Sequence, residues 1–183
     1  MILGLDVSTS ATGYCVLDNS GKLVDIGWIA LAKHKELTDK GFVFRDYIND
    51  LLAANPDIEH VYIEEAFQRY ARGMSSARTI TRLASFNGIV QYICADMFGH
   101  APDLISVSES RKLCGIKTQS KKKAGKEVKE QVFEWVDNHL RYKWPTKILQ
   151  SGPRKGKTII VPESRDMADA WVIATAGLVK SKI

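Results

Sequence analysis

The sequence predicts an α/β fold: a mixed five-stranded sheet, an antiparallel three-strand meander plus parallel strands, flanked by helices. Three observations lead there. The first thirty residues hold three short β-rich runs separated by tight-turn signals. From Phe44 onward, apolar residues recur at helical spacing in segments that alternate with two compact strand-like runs. Beyond Asp169 the last helical segment is apolar on nearly every face, so it should be buried.

The elements follow in order. Residues 1–7 are apolar and β-rich, residues 8–12 are a small-polar turn, and a second run, YCVLD, follows Gly13. Asn19, Ser20, Gly21 and Lys22 mark the next turn, before a third run over residues 23–31. Phe44, Ile48, Leu51 and Leu52 predict a helix ended by Asn55 and Pro56, and HVYIE at residues 60–64 reads as a buried strand. A loop carrying Arg69, Arg72 and Gly73 leads to a long helix with Phe86, Ile89, Val90, Ile93, Cys94 and Met97 on one stripe. Gly99 and Pro102 end that helix, and residues 103–107 read as a strand. Val128, Val132, Trp135, Val136 and Leu140 mark an amphipathic helix. Residues 142–162, rich in Lys, Gly and Pro, read as an exposed insertion with one short strand, TIIV. The closing helix spans about residues 164–179, with Ser164 as its expected N-cap. One domain over residues 1–183 is expected, with no repeat.

Composition narrows the function classes. Of the 183 residues 45% are apolar and 26% charged, which excludes collagen-like, disordered and disulfide-scaffold chains. No apolar run is long enough to span a membrane, and the N-terminus lacks a signal-like pattern. Cys15, Cys94 and Cys114 share no CxxC spacing and read as free thiols of a reducing compartment. Net charge is +5, unevenly spread. Residues 111–129 carry eight basic residues against the single acid Glu127, net +7, which leaves −2 for the rest. Arg111, Lys112, Lys117, Lys121, Lys122 and Lys123 therefore form a candidate polyanion footprint, to which Arg69, Arg72 and Arg78 add.

Four acids stand where acids are costly. Asp6 ends an apolar strand, and Glu64 ends another. Asp166 and Asp169 open the apolar closing helix one turn apart, on one face. The helix dipole accounts for Asp166 but not for Asp6 and Glu64. Buried acids need basic partners or a cation. Four carboxylates without a His or Cys cluster suit a hard, oxygen-seeking ion such as Mg²⁺, with Mn²⁺ able to substitute. Two such ions about 4 Å apart are the usual device for in-line displacement at a phosphodiester. The segment GPRKGKT fails as a phosphate loop, because Ser151 stands where the first glycine is needed and an apolar strand, not a helix, follows. His34, His60, His100 and His139 are scattered and read as surface residues.

Three stretches, in this order, resemble RuvC-type Holliday junction resolvases of the ribonuclease-H-like superfamily. ILGLDVSTSATGYCVLD is similar to the family's first hairpin, VYIEEAF to its second acidic strand, and RDMADAWVIA to its closing helix. Together they span nearly the whole chain. The resemblance implies a ribonuclease-H-like fold and a homodimeric, Mg²⁺-dependent endonuclease that nicks four-way DNA junctions symmetrically, leaving 5′-phosphate and 3′-hydroxyl ends. It assigns metal binding to Asp6, Glu64, Asp166 and Asp169. It makes Phe67 the aromatic that enters the crossover, and Lys129 the active-site lysine with Lys126 as competitor. Arg111 or Lys112 falls near a second basic position. The chain departs from bacterial members in its first turn, Val7-Ser8-Thr9-Ser10, in Glu65 beside Glu64, and in the longer insertion at 142–162, as in a divergent phage-like or organellar-like branch. A cytoplasmic or nucleoid-associated location, an organellar matrix or phage-infected host cytoplasm follows as the expectation, with no nucleotide cofactor. Two alternatives stay open: a nuclease for RNA–DNA hybrids or branched and flap DNA, and a junction-binding protein without catalysis.

Overall fold

A computed structural model describes residues 1–66 and 76–182. Strands β1 (Ile2–Asp6), β2 (Ala11–Leu17), β3 (Leu23–Ala30), β4 (His60–Glu64) and β5 (Asp103–Ile105) form one sheet in the order β3-β2-β1-β4-β5. The β1–β2 and β2–β3 pairs are antiparallel, and β1–β4 and β4–β5 are parallel. This is the mixed five-stranded sheet that the sequence predicts.

Strand parity divides the core into two layers. Leu3, Leu5, Tyr14, Val16, Val61 and Ile63 face helices α1 (Leu37–Ala54) and α2 (Ala77–Phe98), where Phe44, Ile48, Phe86, Val90 and Cys94 meet them. Ile2, Cys15, Leu17 and Tyr62 point the other way. They pack on α5 (Val128–Leu140) and α6 (Ser164–Lys180) through Val132, Val136, Met167, Ala170, Ile173 and Ala174. Because side chains alternate, Gly4 and Asp6 share the face of Ile2, and Glu64 shares that of Tyr62. Parity alone thus sends both strand acids toward α6.

Two glycines let α6 lie directly on the sheet. A Cβ at Gly4 would stand 2.5 Å from the Ala174 nitrogen and 2.6 Å from the Ala170 oxygen. A Cβ at Gly13 would stand 2.1 Å from the Asp166 carbonyl oxygen. Gly13 is the β2 residue paired with Asp6, so the same absent side chain brings the start of α6 against the end of β1. Gly13→Ala is expected to cost about 3 kcal/mol by overpacking against backbone that cannot yield. Urea denaturation measures that loss, with Gly88→Ala, which meets open space, as the control.

Several element boundaries differ from expectation. Helices α3 (Val107–Leu113) and α4 (Lys121–Ala124) lie in the stretch read only as basic. β5 stops at Ile105 because Ser106 leaves the sheet to cap α3, accepting from the Glu109 N–H at 3.2 Å. The 142–162 insertion holds two strands rather than one: β6 (Thr146–Ile148) pairs antiparallel with β7 (Thr158–Ile160) in a separate hairpin. Ser164 is not the N-cap of α6. Glu163 takes that position, and the Ser164 hydroxyl is buried without a hydrogen-bond partner among the described residues. Gly99 ends α2 in the left-handed conformation, as expected. The three cysteines are free thiols, and among the described residues no helix is long and apolar enough to cross a membrane.

Candidate active site

The parallel register pairs Leu5 with Ile63, which sets Asp6 beside Glu64 at adjacent strand ends. α6 supplies Asp166 and Asp169 from its first two turns, and α5 supplies Lys129. The Lys129 ammonium donates to Asp166 Oδ1 at 2.6 Å and lies 3.5 Å from Asp169 Oδ2. Five of the residues expected at a catalytic centre, from four separate elements, thus converge on one end of the sheet.

The four acids are half-buried, partly reached by solvent yet largely enclosed by protein. Burial raises the Asp6 carboxyl well above the usual carboxylate range, and the neighbouring charges of Asp169 and Glu64 raise it further. Burial, then Asp169, pushes Glu64 up to about 7, against the opposing pull of Arg111 and Lys129. Asp169 is raised by burial too, partly offset by Lys129 and Arg111. Burial alone would lower Lys129; Asp6, Asp169 and the hydrogen bond to Asp166 outweigh it and hold the ammonium above the ordinary lysine range. When all four are ionised, the acids outnumber Lys129, the one cation paired with them among the described residues.

A hard cation fits this donor set. The ligand atoms on offer are all carboxylate oxygens. Among the described residues, neither the Asp6 nor the Glu64 carboxylate accepts a hydrogen bond, so both keep lone pairs free. Also among the described residues, no three His, Cys, Asp or Glu side chains already stand in a geometry that holds an ion. The Lys129 ammonium takes the cationic position between Asp166 and Asp169.

Raised carboxyls have a consequence for stability without metal. The folded chain keeps protons on these acids that the unfolded chain has already lost, so stability falls as pH rises from the unfolded carboxylate range through about 7. Lys129 stays charged across that window and contributes no slope there. Glu64 alone accounts for about 3 kcal/mol between pH 4 and pH 8. Urea unfolding in chelator is expected to show the protein more stable at pH 5 than at pH 8; a flat or rising profile would show that the acids are not strained together.

Lys126 does not join the cluster. It precedes the Glu127 cap of α5 and pairs with Glu134 on that helix, whereas Lys129, one residue inside the helix, reaches the acids. Glu65 is exposed and its N–H donates to the Ile105 carbonyl, so parity turns it away from Glu64. Arg111, Lys112 and Lys117 line one depression of about 520 Å³ with Ser108 and Thr118, and Arg111 is close enough to act on Glu64 and Asp169. Lys121 pairs with Glu127, while Lys122 and Lys123 lie exposed on α4. Arg78 is exposed near the start of α2, and Arg82 is tied to the Lys35 carbonyl. The expectations for Phe67, Arg69 and Arg72 fall outside the described residues.

Three supporting groups escaped the sequence reading. Arg165 donates through Nε and Nη2 to Glu130 Oε2 at 2.9 and 2.6 Å, tying the turn before Asp166 to the residue after Lys129. Buried Asn87 donates to the Glu64 carbonyl at 3.0 Å and fixes the end of β4. Buried Lys40 donates to the carbonyls of Thr9 and Leu31 at 2.7 and 2.5 Å, pinning the turn that follows Asp6. None of the three leaves a signal in the sequence: Glu130 meets Arg165 from 35 residues away, and a lone Lys or Asn on a helix is unremarkable.

The chain is similar over most or all of its length to two curated proteins, both named crossover junction endodeoxyribonuclease RuvC. It is 28% identical to that of Aliarcobacter butzleri (strain RM4018) over 151 residues, 81% of this chain and 88% of that protein. It is 27% identical to that of Sulfurovum sp. (strain NBC37-1) over 185 aligned positions, 100% of this chain and 97% of that protein. A solved structure described as T. thermophilus RuvC in complex with Holliday junction substrate matches with a TM-score of 0.65, covering 99% of this chain and 94% of that one at 16% identity, a likeness of fold. No protein-family model matches the chain.

Proposed function

We propose that this chain is a RuvC-type Holliday junction resolvase, a structure-specific endonuclease that cuts four-way DNA junctions by phosphodiester hydrolysis and leaves 5′-phosphate and 3′-hydroxyl ends. One observation carries the reading: Asp6, Glu64, Asp166 and Asp169 converge with Lys129 on a ribonuclease-H-like sheet, in a chain similar along its length to two RuvC endonucleases.

In this reading Asp6, Glu64, Asp166 and Asp169 hold divalent metal, Mg²⁺ or Mn²⁺. When bound, the metal supplies Lewis-acid stabilisation of the oxygens that enter and leave phosphorus. The four acids are the negative wall that concentrates cations at the cleft. Lys129, charged at every working pH, donates to the phosphoryl or leaving oxygen as negative charge builds there. Arg111, Lys112 and Lys117 hold the adjoining backbone, with an affinity that falls steeply with salt. The protein acts as a homodimer, because a junction offers two equivalent strands and a two-fold axis sets one site at each. Phe42 on α1 and Tyr92 on α2, 65% and 70% exposed, offer apolar surface for the partner copy.

The test is a substrate panel in Mg²⁺: a synthetic four-way junction, a linear duplex of the same sequence and an RNA–DNA hybrid. Junction cleavage well above that of the duplex and hybrid is expected. Cleavage of the hybrid alone would leave the fold and discard the substrate.

A further inference from the structure

The β6–β7 hairpin has no part in the site described so far, yet its chemistry is specialised. Residues 142–162 carry Lys143, Lys147, Arg154, Lys155 and Lys157 and no acid at all. All five cations are exposed, and among the described residues none has an ion-pair or side-chain hydrogen-bond partner. In the basic stretch before it, by contrast, three of the eight cations, Lys121, Lys126 and Lys129, are each matched to an acid.

The hairpin is also built as an arm rather than left as a loop. Trp144 at its base is buried, donates to Asp137 Oδ1 at 2.7 Å, and packs on Phe133 at 4.9 Å between ring centres. Val161 at the other end is buried and donates to the Pro145 carbonyl at 3.0 Å. The ladder continues past β6 and β7, since the Leu149 N–H donates to Lys157 and the Gly156 N–H to Leu149. A solubilising loop needs no such anchoring; a surface that must meet a ligand in one orientation does. Its place is informative as well. Arg154, Ile159 and Ile160 wall a depression of about 430 Å³ with Glu130, Phe133 and Arg165. Glu130 and Arg165 are the immediate neighbours of Lys129 and Asp166, so the hairpin borders the carboxylate cluster.

We infer that the β6–β7 hairpin is a second DNA-binding element, which grips the phosphate backbone of a duplex arm as that arm leaves the active site. The inference rests on the nuclease reading for its ligand and extends it to residues outside the catalytic cluster. Free cations on a rigid arm suit a phosphate backbone: contacts form without breaking ion pairs, and each releases counterions from the DNA.

The test is the salt dependence of binding, in chelator so that no cleavage occurs, for the full chain and for the triple variant Arg154→Gln, Lys155→Gln, Lys157→Gln. Each lost phosphate contact lowers the slope of log affinity against log salt by about 0.9, so the slope is expected to fall by about 3 and junction affinity by tenfold or more at moderate salt. A charge-matched control, Lys22→Gln, Lys33→Gln, Lys35→Gln, removes three exposed cations elsewhere and is expected to stay within about twofold of the unmodified chain. Unchanged slope and affinity in the hairpin variant, or an equal loss in the control, would overturn the inference. The same titration on linear duplex separates it from the resolvase reading, because a backbone grip registers on any duplex. Should the unmodified chain show no preference for junctions, that reading fails while the hairpin's effect on duplex still decides this one. If the triple variant melts early, the three single variants replace it, each expected to lower the slope by about 1.

Discussion

Asp6→Asn is expected to abolish junction cleavage, by at least about a thousandfold, and at the same time to make the metal-free protein more stable. The two effects have one cause. Asp6 sits half-buried beside Glu64 at the strand ends, and loss of solvation, then the charges of Asp169 and Glu64, push its carboxyl well above the usual range. The charge that makes the site a cation trap is a charge the empty fold would rather lose. An amide of the same shape removes the like-charge repulsion and the desolvation of an anion. At pH 8 in chelator the melting temperature is expected to rise by on the order of 5 °C, since about 1 kcal/mol is worth about 2–4 °C in a chain of this size. The gain is expected to shrink at pH 5, where the folded protein already holds protons on the cluster. Mg²⁺ is expected to raise the melting temperature of the unmodified protein at pH 8 and to do much less for Asp6→Asn. Inactivity accompanied by lowered stability would mean that Asp6 is a packing residue rather than a strained ligand.

Lys129→Ala is expected to lower cleavage by about 100- to 1000-fold, the scale of removing one donor aimed at developing charge. It is also expected to destabilise the metal-free protein, with a larger loss at pH 8 than at pH 5. Among the described residues, Lys129 is the one cation paired with both Asp166 and Asp169, and at higher pH Asp169, whose carboxyl is raised by burial, is more fully ionised. Lys126→Ala is the contrast. Its exposed pair with Glu134 is worth at most about 1 kcal/mol, and its loss is expected to leave cleavage within about threefold. Equal losses for the two lysines would place Lys129's role in binding DNA along the basic stretch rather than in the chemistry.

The parts of this molecule that were legible in its sequence are those set by period and parity. An acid at the end of an apolar strand faces one side of the sheet or the other, so Asp6 and Glu64 were bound to share a face once β1 and β4 paired. The apolar run after Asp169 gave away α6 as a buried helix, which the sheet covers on one side and α3 and α5 on others. The choice between Lys126 and Lys129 was not legible. Both lie within one turn of the helix start, and where Glu127 caps that helix decides which reaches the acids. α3 was hidden because its seven residues carry little periodicity, although Ser106 and Glu109 had the spacing of a capping box. β6 was hidden because three residues with no buried face leave no pattern. Gly13 gave no warning of its role, since a missing Cβ matters only once the backbone it would strike is known. Arg165 and Glu130 are far apart in sequence and meet only because α5 packs on α6.

The most direct measurement is the mapping of cut ends on both strand pairs of a synthetic four-way junction incubated with the full chain and Mg²⁺, beside Asp6→Asn. The account requires paired nicks at symmetric positions across the crossover, each with a 5′-phosphate that ligase can seal, and none with the variant. Tight junction binding with no nick in either Mg²⁺ or Mn²⁺, or nicks that persist in Asp6→Asn, would contradict it.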